Sequence, residues 1–171
     1  MTEMRSDMTQ ATVNAAIGQE RARVPRSLIL TAMLLVLIQS ALGMVVNLYA
    51  AIPGQHPGAH ATSYFPGVVS SIGWALSNGT GSLAVHAGLG LALILVAIAV
   101  ATRCVMAGPR SAAILAVLAT LCIIGAAFNG ASFLALGQGN LSSLLMALLA
   151  LGALTCYGLA LYFMSGRGAR Q

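Results

Sequence analysis

The sequence predicts an all-α integral membrane protein, with four transmembrane helices in an antiparallel bundle, both termini cytoplasmic and a long first outer loop. Three observations carry that expectation. The eight Arg and three acidic residues fall in three short stretches, and the intervals from Ser27 to Thr102 and from Ser111 to Gly166 hold no formal charge. A charge at the centre of a bilayer costs about 2.5–3.5 kcal/mol on insertion scales, so uncharged apolar runs of this length read as lipid-facing. The chain is 58% hydrophobic and 6% charged, where soluble domains carry roughly 25% charged residues. Finally, every Arg lies on one side of four apolar runs.

Residues 1–26 are polar, hold Glu3, Asp7, Glu20 and four of the Arg, and lack an apolar core of their own, so they read as a mobile cytoplasmic tail. The apolar run that opens at Leu28 starts too far along the chain for a secretory signal. It reads as an uncleaved first span, about residues 28–51. The remaining spans cover about 83–102, 112–134 and 142–164, each near the ~20 residues that cross a bilayer at ~1.5 Å per residue. They form one membrane domain, residues 27–166, followed by a short cytoplasmic tail, 167–171.

Arg5, Arg21, Arg23 and Arg26 precede the first span, Arg103 and Arg110 lie between the second and third, and Arg167 and Arg170 follow the fourth. By the positive-inside rule this side is cytoplasmic, which puts the 52–82 loop and the 135–141 turn outside and the chain in a cell membrane, inner or plasma, as a multi-pass protein. Gly108-Pro109 and Gly137-Gln138-Gly139-Asn140 supply the breakers for the two short turns. Within the long loop, Val68, Ile72 and Leu76 recur at four-residue spacing beside Trp74, so residues 67–78 read as an interfacial helix anchored at headgroup level. Tyr49, Tyr64, Phe65 and Phe133 complete an outer aromatic girdle, and Tyr162 and Phe163 an inner one.

Composition removes several classes of function. The basic residues flank apolar segments instead of forming a patch, so nucleic acid is not an expected partner. No Lys is present to serve a phosphate loop or a Schiff base. No acid lies in the outer regions, which leaves zinc hydrolases of the His-Glu-x-x-His kind and carboxylate acid–base mechanisms without candidates there. Cys104, Cys122 and Cys156 sit in apolar runs without a Cys-x-x-Cys pattern and read as small packing residues. A solute transporter is disfavoured, because no acid, Lys or Arg within the membrane offers an ion or proton relay.

The polar and small residues inside the spans are the remaining candidates. Gln39, Gly43 and Asn47 share a face of the first span, His86 and Gly90 of the second, Cys122, Gly125 and Asn129 of the third, and Gly152 and Cys156 of the fourth. Such stripes let helices approach and share interhelical hydrogen bonds. His86, the one histidine in a span, is also a candidate ligand for haem or a metal. Second ligands would come from His56 and His60 in the outer loop, although Pro57 and Gly58 between them oppose a shared helical face, and Met44 and Met146 are the thioethers in the outer half.

Taken in order, Gln39-x3-Gly43, a long outer loop, His86 opening the second span, Asn129 on the third and a short outer turn resemble one four-helix half of the haem A synthase family. The resemblance implies haem held between helices, with His86 matching the first ligand. Ser142 and Ser143 stand where the family's fourth-helix histidine belongs, and its outer-loop cysteine pair and acidic residue are absent.

Two functions from different classes follow. One is a non-catalytic accessory or interaction subunit, partnered by other membrane subunits or by copies of itself, whose stripes pack helices. The other is a small b-type haem protein, for electron transfer or haem handling, in which His86 binds iron and His56, His60 or a partner chain completes the axial pair.

Overall fold

A computed structural model describes the backbone of residues 2–137 and 139–165, with side chains described continuously from Arg26 onward apart from residue 138. The described residues form five helices and no strands: α1 (Thr2–Tyr49), α2 (Tyr64–Ser77), α3 (Gly81–Ala107), α4 (Arg110–Leu136) and α5 (Asn140–Ser165). Four segments are long and apolar enough to cross a membrane: Arg26–Tyr49, Gly81–Ala107, Arg110–Leu136 and Asn140–Ser165. Within their most apolar windows only 17–28% of the residues are buried by the protein, so the larger part of each helix surface is left for lipid. This is a multi-pass helical membrane protein.

The helices overrun the expected spans because a helix stops at a breaker, not where hydropathy falls. α3 continues through Arg103 to the Gly108-Pro109 turn, and a Cβ on Gly108 would lie 2.6 Å from the Cys104 carbonyl oxygen, which only glycine avoids. α4 ends at Gly137, whose φ of +108° is unfavourable for any residue with a side chain. At the N-terminus the backbone of residues 2–25 continues helix α1 ahead of the first span, in keeping with their content of Ala, Met, Gln, Glu and Arg. The expected 167–171 tail lies outside the described residues.

Contacts run α1 to α3, α3 to α4, α4 to α5 and α5 back to α1. The main core lies toward the Arg-bearing ends and is built from one seam per helix: Ile29, Ala32 and Val36; Leu93, Ala97, Val100 and Cys104; Ala112, Ala116, Ala119 and Ile123; Ala153, Tyr157, Ala160 and Met164. The spacing alternates between three and four residues, the repeat that keeps a seam facing its neighbour, and Ala supplies the close approach that drives packing where lipid is as apolar as Leu. Thr120 is buried in this region and donates to the Ala97 carbonyl of α3 at 3.0 Å and to Ala116 at 2.9 Å. Arg26 donates to the Met164 carbonyl at the C-terminal end of α5, where a cation suits the helix dipole.

α2 packs on α3 and α4 at the other end, hereafter the loop end. Its docked face is Gly67, Val68, Ser71 and Ala75. Of the residues whose spacing marked this helix, Val68 is buried and Ile72 packs beside it, while Leu76 is 42% exposed and Trp74 is half-buried. Two contacts hold this region to α4. The His60 N–H donates to the Ala135 carbonyl at 2.9 Å, and the Tyr64 hydroxyl meets Ser132 Oγ at 2.7 Å.

Overfilling the Ala seam tests this packing. Ala97→Leu is expected to destabilise the protein by about 1–3 kcal/mol, read as a lowered midpoint in denaturant titrations in micelles. Leu95→Ala, which truncates a side chain 70% exposed toward lipid, should leave the midpoint close to wild type.

Candidate functional site

At the loop end α1 meets α3 through a reciprocal arrangement of two polar side chains and two glycines. Gln39 and Gly43 lie one turn apart on α1, as do His86 and Gly90 on α3. Each polar side chain sits on the other helix's glycine. A Cβ on Gly43 would fall 3.0 Å from His86 Cε1, and a Cβ on Gly90 would fall 3.0 Å from Gln39 Nε2. Both distances are tighter than ordinary contact, so the glycines are what admit the two larger groups.

Gln39 Nε2 donates to the main-chain carbonyl of His86 at 3.0 Å and lies 3.4 Å from His86 Nε2. A carbonyl can only accept, so this bond orients the amide, and the same NH2 group can donate to His86 Nε2 only if that nitrogen carries no proton. The ring proton then resides on Nδ1. His86 Nδ1 and Gln39 Oε1 are buried without a hydrogen-bond partner among the described residues. A buried unsatisfied polar group costs about 1–3 kcal/mol, so close packing here offsets an incomplete network.

The other stripe residues resolve into helix contacts. Asn47 Oδ1 of α1 accepts from Ser143 Oγ of α5 at 3.2 Å. Asn129 of α4 donates from Nδ2 to the Ser142 carbonyl of α5. Between α4 and α5, Gly125 faces Leu149, Gly130 faces Met146 and Gly152 faces Cys122, whose sulfur lies 3.3 Å from where a Cβ would stand. Cys104 is buried in the core, Cys122 and Cys156 are half-buried, and all three are free thiols.

The histidines do not share partners. His56 stacks on Trp74 with ring centroids 4.4 Å apart and planes 16° from parallel, and its Nδ1 meets the Pro57 carbonyl at 3.1 Å. His60 is exposed, and its φ of 52° turns its N–H toward the carbonyl end of α4. His86 meets only α1 in its side-chain contacts given above. Met44 is 66% exposed and Met146 seats on Gly130, so neither thioether joins a histidine. Among the described residues, no group of three or more His, Cys, Asp or Glu is placed to hold a metal.

No protein-family model matches the chain, and neither does any curated protein or solved structure.

In this packing the nitrogen-bearing edge of His86 is turned toward α1. An ideal Cβ on Gly43 lies 3.7 Å from each ring nitrogen, so the edge that carries both faces the backbone of α1. Imidazole ligates at about 2 Å. The Gln39 amide nitrogen lies 3.4 Å from Nε2, so a metal at ligating distance on that nitrogen would compete with the amide.

Sequence reasoning singled out Gln39, Gly43, His86 and Gly90 but paired none of them. It missed Gly130 with Met146, Ser143 as the partner of Asn47, and the stacking of His56 on Trp74. The signal for the first pair was present, since Gly130 lies next to Asn129 on a helix already read as having a small-residue stripe.

His86→Ala is expected to cost about 2 kcal/mol or more by opening a cavity against Gly43. A double-mutant cycle with Gln39→Ala should give a coupling below about 0.6 kcal/mol, because the bond to the main-chain carbonyl survives His86→Ala and only the 3.4 Å contact with the ring is lost. Gly43→Leu should destabilise by about 1–3 kcal/mol and be largely relieved in the His86→Ala background, because the ring it collides with is gone. Equal destabilisation in both backgrounds would contradict the seating of His86 on Gly43.

Proposed function

We propose that the protein is a non-catalytic accessory or interaction subunit of a cell membrane, an antiparallel four-helix bundle with both termini cytoplasmic. The carrying observation is how the polar side chains inside the spans are used. Gln39, Asn47, His86 and Asn129 are engaged with neighbouring helices, and the glycines on their stripes receive side chains from across the helix contacts. Groups consumed in this way orient helices. They do not converge as an acid, a base or a nucleophile around a common point.

Large apolar side chains exposed on every spanning helix support the second half of the reading. Leu34 and Leu48 on α1, Leu95 on α3, Leu121 on α4 and Leu148 and Leu151 on α5 are each more than half exposed. They provide surface for lipid and for partner helices alike. The orientation rests on the Arg residues, which flank the spans at one end only.

Two measurements test this function. Solubilised gently from its native membrane, the protein should be recovered with another membrane chain or as a homo-oligomer; recovery as a lone monomer would count against an interaction role. Oxidised and dithionite-reduced absorbance spectra of protein expressed with ample haem should show no haem bands. Bands that vanish in a folded His86→Ala variant would instead establish haem binding and overturn the packing role given to His86.

A further inference from the structure

α2 has two apolar faces and no charge. One face, Gly67, Val68, Ser71 and Ala75, is docked on the protein. The other is a row at helical spacing, Phe65, Val69 and Leu76, which are 68%, 69% and 42% exposed. No charged residue occurs on α2 or in its flanking loops, since none lies between Ser27 and Thr102.

The contacts of α2 set its depth. Its first turn lies on α4, where Tyr64 meets Ser132 and Val68 packs with Ala131 and Ala135. Its last turn lies on α3, where Leu76 Cδ2 comes within 3.7 Å of a Cβ position on Gly88. Gly88 is about two turns inside α3, roughly 10 Å from its start at Gly81, and Ala131 is more than one turn inside α4. α2 therefore crosses the flanks of two spanning helices below their ends, instead of resting on top of them.

We propose that α2 is an in-plane membrane helix whose Phe65–Val69–Leu76 row inserts into the leaflet at the loop end, with lipid as its occupant. An apolar helix face held at the headgroup–acyl boundary is stabilised by the area it buries, and an uncharged helix carries no charge-burial cost into that layer. The proposal rests on the membrane reading of the four spans.

Tryptophan placement distinguishes the two. Trp74 is the only Trp in the chain, so a Trp74→Phe background is silent. In that background Val69→Trp, the more conservative Phe65→Trp, and Leu95→Trp on the exposed middle of α3 are reconstituted in phosphatidylcholine vesicles brominated at shallow or deep acyl positions. The two α2 variants should lose about twofold of their emission to shallow bromine, less to deep bromine and little to aqueous iodide, as a face ~5–10 Å into the boundary would. Leu95→Trp should be quenched most by deep bromine. Failure of Leu95→Trp to respond to bromine would overturn the membrane reading itself. A normal response there, with iodide quenching both α2 variants, would place α2 in water and overturn only this proposal. Protection of both from bromine and iodide alike would mean that protein, a second copy or a partner, covers the row, and would overturn it too.

Discussion

The seating of Gln39 and His86 on each other's glycine is the contact on which the loop end of this molecule depends. Between helices in lipid there is no hydrophobic gain from exclusion of water, because lipid tails are as apolar as the side chains they would replace. Association must come from close approach and from hydrogen bonds. Gly43 and Gly90 supply the first, and the Gln39 amide on the His86 carbonyl supplies the second. Gly90 serves both ends: without a Cβ one turn after His86, the amide reaches a carbonyl that most side chains at position 90 would cover.

This device explains why the molecule has two unlike halves. Toward the Arg-bearing ends the interior is an Ala-rich seam with Tyr157 fully buried, crossed by interhelical bonds from Thr120 to Ala97 and from Arg26 to Met164. Toward the loop end polar interhelical contacts involve all four spanning helices, Gln39 with His86, Asn47 with Ser143, and Asn129 with the Ser142 carbonyl, beside a small apolar cluster of Val46, Ala75 and Leu83. α2 covers the α3–α4 side of that end, and the loop before it helps to satisfy the carbonyl end of α4 through the His60 N–H. Gly58 fits this arrangement: its φ is +91°, and a Cβ there would lie 2.3 Å from the Gly67 carbonyl oxygen of α2. The loop can approach α2 that closely only with glycine at that position.

Much of this was legible from one-dimensional pattern. The absence of charge between the Arg clusters located four helices, the Gly-Pro and Gly-x-Gly turns located two of their connections, and four-residue spacing identified the helix in the loop. The same spacing did not show which face of α2 docks, because Gly67, Ser71 and Ala75, which join Val68 on the buried side, are too small or polar to register as core. Small residues also hid the main seam. Ala112, Ala116 and Ala119 do not stand out from the apolar run around them, although their heptad spacing was there to be counted.

Composition and spacing were sufficient for the number of apolar helices and for which residues could act inside them, because burial in lipid penalises charge residue by residue and that penalty is local. They were not sufficient for what those residues do. Whether His86 offers its ring nitrogens to a metal or turns that edge onto Gly43 depends on the rotation and register of α1 against α3, contacts between residues 43 positions apart in the chain (Gly43 and His86). Such a contact follows from how two helix surfaces interlock, a property of the assembled helices and of neither one alone.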